Sequence, residues 1–174
     1  MKICKILVGN CEQLLSDFIE VLFRGACGGE GEVRCSRAVR VGEFVRKACD
    51  EEHDLIILVP HNLMPENNPP TPIALIGESI EALRTIRGRT TSPVISIVAA
   101  EERKRYEPLL LEAGADCVLE LPFDGEDLRQ AVIRLLQSPV KQERATGKRW
   151  FFAGVLTRGF QRLSGVQHLA NPAR

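Results

Sequence analysis

The sequence predicts a doubly wound α/β domain: five parallel strands, each followed by a helix that packs on one face of the sheet. Two observations predict it. Short apolar runs of strand length alternate with longer segments whose apolar residues recur three and four apart, and this happens five times over residues 1–137. Residues 54–59, Asp-Leu-Ile-Ile-Leu-Val, set five consecutive apolar residues behind one acid. That is the mark of a central parallel strand buried on both faces.

The elements follow in order. Residues 3–9 form a short apolar run ending at Gly9, a buried first strand. Leu15, Phe18, Ile19 and Leu22 give one apolar stripe of a first helix, which Gly25 and the glycines at 28, 29 and 31 are expected to end. Residues 33–39 form a weaker second strand, and Arg34 and Arg37 within it suit a sheet edge. Val41, Phe44, Val45 and Ala48 mark the second helix, and the run from Asp54 is the third strand. Residues 60–72 hold five prolines and three asparagines and read as a long loop, because proline removes backbone donors. Ile76, Ile80 and Leu83 open the third helix, and 94–99 is the fourth strand. Tyr106, Leu109, Leu110 and Ala113 mark the fourth helix, with Gly114 placed to stop it in a left-handed cap. Residues 117–121 are the fifth strand. Asp124 then caps a fifth helix whose inner face is Leu128, Val132, Leu135 and Leu136. With right-handed crossovers this succession gives a flavodoxin-like sheet in the order 2-1-3-4-5, whose site lies at the carboxyl ends of strands one and three.

Composition is that of a globular protein, 44% hydrophobic and 26% charged. Net charge is zero but unevenly placed. Residues 138–174 carry seven basic residues and one acid, so they hold +6 against −6 on residues 1–137. The chain therefore divides into a domain, 1–137, and a basic C-terminal extension, 138–174. In the extension Phe152, Val155, Leu156, Gly159, Phe160 and Leu163 follow helical spacing behind Trp150 and Phe151, with Arg149, Arg158 and Arg162 interleaved. A basic amphipathic helix of this kind lies on an anionic membrane, in a partner's groove, or on the acidic body itself. Its glycines at 154, 159 and 165 each weaken a helix by about 1 kcal/mol, so it needs something to pack on. No helix-turn-helix pattern fits so short a stretch. The six cysteines contain no Cys-x-x-Cys pair, which argues against zinc and a disulfide framework. The opening apolar run is too short for a secretory signal, and the expected location is cytoplasmic.

The second half of the domain is specific. Residues 93–99, then Leu-Glu-Ala-Gly-Ala-Asp at 111–116, the strand 117–121, and Pro122-Phe123 leading to Asp124 closely resemble the receiver domain of two-component response regulators. Residues 54–58 look like that family's third strand, and the resemblance covers residues 2 to about 137. It implies a signalling domain that takes a phosphoryl group on an aspartate after strand three. Two acids after strand one help hold Mg²⁺, a hydroxyl residue ends strand four, and a lysine ends strand five. The chemistry needs each part: a carboxylate nucleophile, oxygen ligands for a hard cation, and donors for the transferring oxygens.

Every one of those positions departs from the pattern here. Asn10 and Cys11 stand where the acidic pair belongs, with Glu12 the only nearby carboxylate. The acceptor position falls on Val59 counted from Asp54, or on His61 counted back from Met64-Pro65. The hydroxyl position is Val98 and the lysine position is Leu121. Valine and leucine offer an oxyanion or cation nothing. The expectation is a degenerate pseudo-receiver: no enzyme, no cofactor, no metal, acting through contact with a signalling protein.

Other readings stay open beside it. His61 is either an unusual acceptor or ligand or a loop histidine. Cys11 is an oxidant-sensing thiol or a small residue filling the vacant pocket. The prolines at 60–72 make a docking segment or a tolerated insertion. Arg103, Lys104 and Arg105 form an interaction face or a solvated one. The preferred reading allows a homo-oligomer through the fourth and fifth helices. Two alternatives stand beside it. One is an adaptor led to membrane or nucleic acid by its tail, with Arg149, Trp150, Phe152, Arg158, Phe160 and Arg162 in contact. The other is an enzyme or ligand binder of another doubly wound family, against which the turn at 9–12 lacks a dinucleotide glycine fingerprint or Walker lysine.

Overall fold

The computed structural model describes residues 2–27, 31–65 and 72–137. The elements run β1 (Lys2–Gly9), α1 (Gln13–Cys27), β2 (Gly31–Ala38), α2 (Val41–Asp50), β3 (Leu55–Leu58), a short 3-10 turn (Pro60–Asn62), α3 (Pro72–Arg87), β4 (Val94–Ala99), α4 (Ala100–Ala113), β5 (Cys117–Leu121) and α5 (Gly125–Gln137). The strands form one parallel sheet in the order β2-β1-β3-β4-β5. This is the expected doubly wound architecture, with the arginine-bearing β2 at an edge.

The sheet separates two apolar cores. α1 and α5 cover one face, where Ile19 and Phe23 meet Val8, Ile57, Leu128 and Val132. α2, α3 and α4 cover the other, where Phe44 and Leu83 meet Leu7, Ile56 and Val98. All four residues of β3 are buried, as the unbroken apolar run requires. At Gly9 a Cβ would lie 2.7 Å from the Phe44 ring, so this strand end has room only for glycine. Among the described residues no helix is long and apolar enough to cross a membrane.

Several boundaries and faces differ from expectation. β2 runs over Gly31–Ala38 rather than 33–39, and α1 continues past Gly25 to Cys27. One glycine costs about 1 kcal/mol in a helix and does not by itself end it. α3 begins at Pro72, four residues earlier than its first apolar marker, because proline is well tolerated at a helix start, where its missing N–H is not needed. Phe18 and Leu109, both assigned to inner stripes, are exposed at 40% and 44%. Each sits at the margin of a stripe whose centre, at Ile19 or Leu110, is fully buried. The caps at Gly114 and Asp124 are as expected. Gly114 has φ 118°, and Asp124 Oδ1 accepts from the Glu126 and Asp127 N–H groups at 2.8 and 3.0 Å.

His53 links this packing to pH. It is buried before β3, and its Nδ1 has no hydrogen-bond partner. Burial pushes its pKa below the ordinary 6.5, with Glu51 opposing only in part. The neutral ring is therefore favoured in the folded state, and the unfolded chain takes up the proton first. Stability from this site is complete above about pH 6.5 and is lost as pH falls toward the folded value. The urea midpoint of the native protein should fall between about pH 7.5 and 5, and His53→Gln should flatten that slope. Equal slopes in the two proteins would remove His53 from the account.

Candidate functional site

The crevice of a 2-1-3-4-5 sheet opens at the carboxyl ends of β1 and β3, where successive crossovers leave in opposite directions. Asn10, directly after β1, is fully buried. Its Nδ2 donates to the Glu12 carbonyl at 2.7 Å and lies 3.4 Å from Ser16 Oγ. Its Oδ1 accepts from the Glu12 N–H at 3.1 Å. The side chain is thus consumed in fixing the turn into α1. An aspartate here would set an acceptor oxygen against the Glu12 carbonyl, so the amide fits this turn where a carboxylate does not.

The turn after β3 closes over the same region. The Val59 N–H donates to the Gly9 carbonyl at 3.0 Å, and the Cys11 N–H donates to the Asn62 carbonyl at 2.5 Å. Ser79 Oγ, buried on α3, donates to the Pro60 carbonyl at 3.2 Å. Further on, Met64 and Arg40 form a parallel bridge, with the Val41 N–H on the Met64 carbonyl and the Met64 N–H on the Val39 carbonyl. The start of the proline-rich segment is therefore an ordered strap, not a free loop, through Pro65; residues 66–71 lie outside the described residues. The strap follows from the need to pair backbone groups that leave the sheet beside buried neighbours.

Of the six pocket positions, three are apolar groups absorbed into packing. Val59 is 3% exposed in the α1–α5 core, and Val98 is 1% exposed in the opposite one. Leu121, the last residue of β5, is half-buried against the first core, and its bond to Pro122 is cis. Val59 and Val98 thus pack on opposite faces of the sheet. Cys11 is half-buried at the mouth of the turn. His61 turns toward α4, with Nε2 2.7 Å from Glu102 Oε2 and its ring 5.7 Å from that of Tyr106. The approach to Glu102 is close but not aligned as a hydrogen bond. Among the described residues no group of three or more histidine, cysteine or acidic side chains stands close enough to hold a metal.

Sequence reading missed Glu102, Ser79 and the Asn62 carbonyl. The two side chains belong to helices remote in sequence, and a backbone acceptor has no sequence signature. It also missed a lock behind the site. Arg87, at the end of α3, donates Nε to the Gly114 carbonyl at 2.5 Å and Nη1 to the Ser92 carbonyl at 2.8 Å, and pairs through Nη2 with Asp116. Asp116 accepts from the Val94 N–H at 2.8 Å. Arg103, from the charged run on α4, is bound to Glu107 and Glu120, whereas Lys104 and Arg105 are exposed. The tail residues Arg149, Trp150, Phe152, Arg158, Phe160 and Arg162 lie outside the described residues.

No protein-family model and no curated protein matches this chain. Solved structures do. The receiver domain of the sensor histidine kinase PA1611 from Pseudomonas aeruginosa PAO1, which has a magnesium ion coordinated in its active-site cleft, is 21% identical with a TM-score of 0.58. The match covers 78% of this chain and 98% of that one. A response regulator receiver domain protein from Clostridium thermocellum is 22% identical with a TM-score of 0.60, covering 82% and 99%. A CheY-like receiver domain protein from Methanospirillum hungatei JF-1 is 18% identical with a TM-score of 0.56, covering 83% and 100%. The fold of residues 2–137 is that of response regulator receiver domains.

Proposed function

We propose that this chain is a signalling domain of receiver type that takes no phosphoryl group and works through protein–protein contact. The observation that carries the reading is the state of the pocket. The positions that would supply nucleophile, hydroxyl and cation hold Val59 and Val98, packed into the cores, and Leu121, half-buried against one of them. Asn10 replaces a metal-binding acid and spends its side chain on the α1 turn. Phosphoryl transfer to a protein needs a nucleophile and compensation for the transferring oxygens. These side chains provide neither, and His61 stands against Glu102 instead. What remains for such a domain is its surface. The partner is a protein, and α4 with α5 offers a face on which a second copy can also pair.

Incubation with Mg²⁺ and a small phosphodonor, or with beryllofluoride, tests this. The expected result is no mass adduct and no Mg²⁺-dependent change in the amide spectrum of β1, β3 and β4. A stable adduct on any residue, or a saturable Mg²⁺ shift at Asn10–Glu12, would overturn it.

A further inference from the structure

α1 has a second apolar stripe that the core does not use. Leu14, Phe18 and Val21 recur at i, i+4 and i+7 and are exposed at 84%, 40% and 65%. The stripe faces away from the core, opposite Ile19 and Phe23, with only its Phe18 edge on the α5 side. The Phe18 ring lies 5.7 Å from that of Phe123, and Leu22, one turn from Phe18, reaches Gly125 at the start of α5. It is therefore an exposed apolar face along the outer side of α1, reaching the α5 boundary at Phe18. A contiguous apolar face of this kind is expected to be covered.

We propose that the chain's own segment 149–163 folds back in cis and covers this face of α1. Three observations select it. The first is length and position. α1 and α5 lie on the same face of a parallel sheet and run in the same direction, so the chain leaves Gln137 at the end of the α1–α5 layer far from the pocket. Residues 138–148 span at most about 36 Å when extended, enough to turn back. Helical residues 149–163 then reach about 22 Å, the length of the 15-residue α1. The second is pattern. The apolar residues of the segment are helically spaced, and its glycines leave it dependent on a surface to pack on. The third is charge, and it fixes the direction. The near ends of α1 and α5 carry Glu12, Asp17, Asp124, Glu126 and Asp127, with Arg129 tied to Glu126. An antiparallel return sets Arg158 and Arg162 at that acidic end and Trp150 beside Val21. The −6 and +6 halves of the chain then neutralise each other within one molecule.

Trp150 is the only tryptophan in the chain, so its emission reports the contact directly. In the full-length protein it should be blue-shifted and shielded from acrylamide, independently of protein concentration, with shielding that weakens as salt rises. Leu14→Asp with Val21→Asp should shift the docking equilibrium toward the open form at least about tenfold, the scale of losing two aliphatic contacts. Both positions are exposed, so circular dichroism should show the domain intact. Arg158→Glu with Arg162→Glu, outside the domain altogether, should also release Trp150. Four outcomes overturn the proposal: Trp150 already accessible in the native protein, shielding that survives both double variants, shielding that grows with concentration and so reports a second copy, or shielding that appears only with phosphatidylserine vesicles. None depends on how the phosphodonor experiment turns out.

Discussion

Gly114→Ala should destabilise the domain by about 3 kcal/mol and lower its melting temperature by roughly 10 °C. Two costs add. Gly114 has φ 118°, where an L side chain is strained by about 1–2 kcal/mol. The new Cβ would also be driven into Arg87 Cγ. Arg87 has little freedom to yield, because its guanidinium holds the Gly114 and Ser92 carbonyls and Asp116 at once. Asp116 in turn fixes the start of β4 through the Val94 N–H. One glycine thus joins the ends of α3 and α4 to two strands. Pairing Gly114→Ala with Arg87→Ala checks the mechanism. The double variant should lose less than the two single losses together, since both damage the same contact. A cost below about 0.5 kcal/mol for Gly114→Ala alone, read from urea unfolding, would contradict it.

That lock shows where sequence reading succeeds and where it stops. The caps at Gly114 and Asp124 were legible because a glycine after an apolar helical stripe is a local signal, as is an aspartate before one. The partner, Arg87, lies 27 residues from Gly114, and nothing local marks it. The same division holds elsewhere. Alternation gave ten elements and the sheet order, since the run at 54–59 admits little else. Periodicity misassigned Phe18 and Leu109, because it fixes a direction around a helix but not where the neighbouring helix ends. For the pocket, the identities at positions 10, 11, 59, 61, 98 and 121 were readable. The strap over it was not, because it rests on backbone bonds such as Cys11 to Asn62 between segments far apart in the chain.

The strap also bears on the two ways of counting to the acceptor position. Val59 continues the β1–β3 pairing by one more bond, to the Gly9 carbonyl, and stays inside the core. His61 sits two residues later in a 3-10 turn, at the surface of α4. A carboxylate at either place would meet a different environment. At 61 it would face Glu102 and be repelled; at 59 it would be buried among apolar groups.

The second case gives the larger expected effect. Val59→Asp should cost about 3–5 kcal/mol, because a carboxyl replaces a side chain that is 3% exposed, with Leu121 where a cation would be needed. The group would avoid part of that cost only by staying protonated, so the variant should lose further stability as pH rises through the range where the unfolded chain ionises. It should also gain no Mg²⁺ affinity, since Asn10 and Cys11 supply no carboxylate. Adding Leu121→Lys to Val59→Asp tests whether a receiver-like pair can form: if the two side chains meet, the double variant recovers stability beyond the sum of the single changes. Urea unfolding of all three variants, with and without Mg²⁺, reads both points. Should Val59→Asp cost less than about 1 kcal/mol and bind Mg²⁺, the pocket is an open site that has merely lost its nucleophile, and the contact-only reading loses its physical basis.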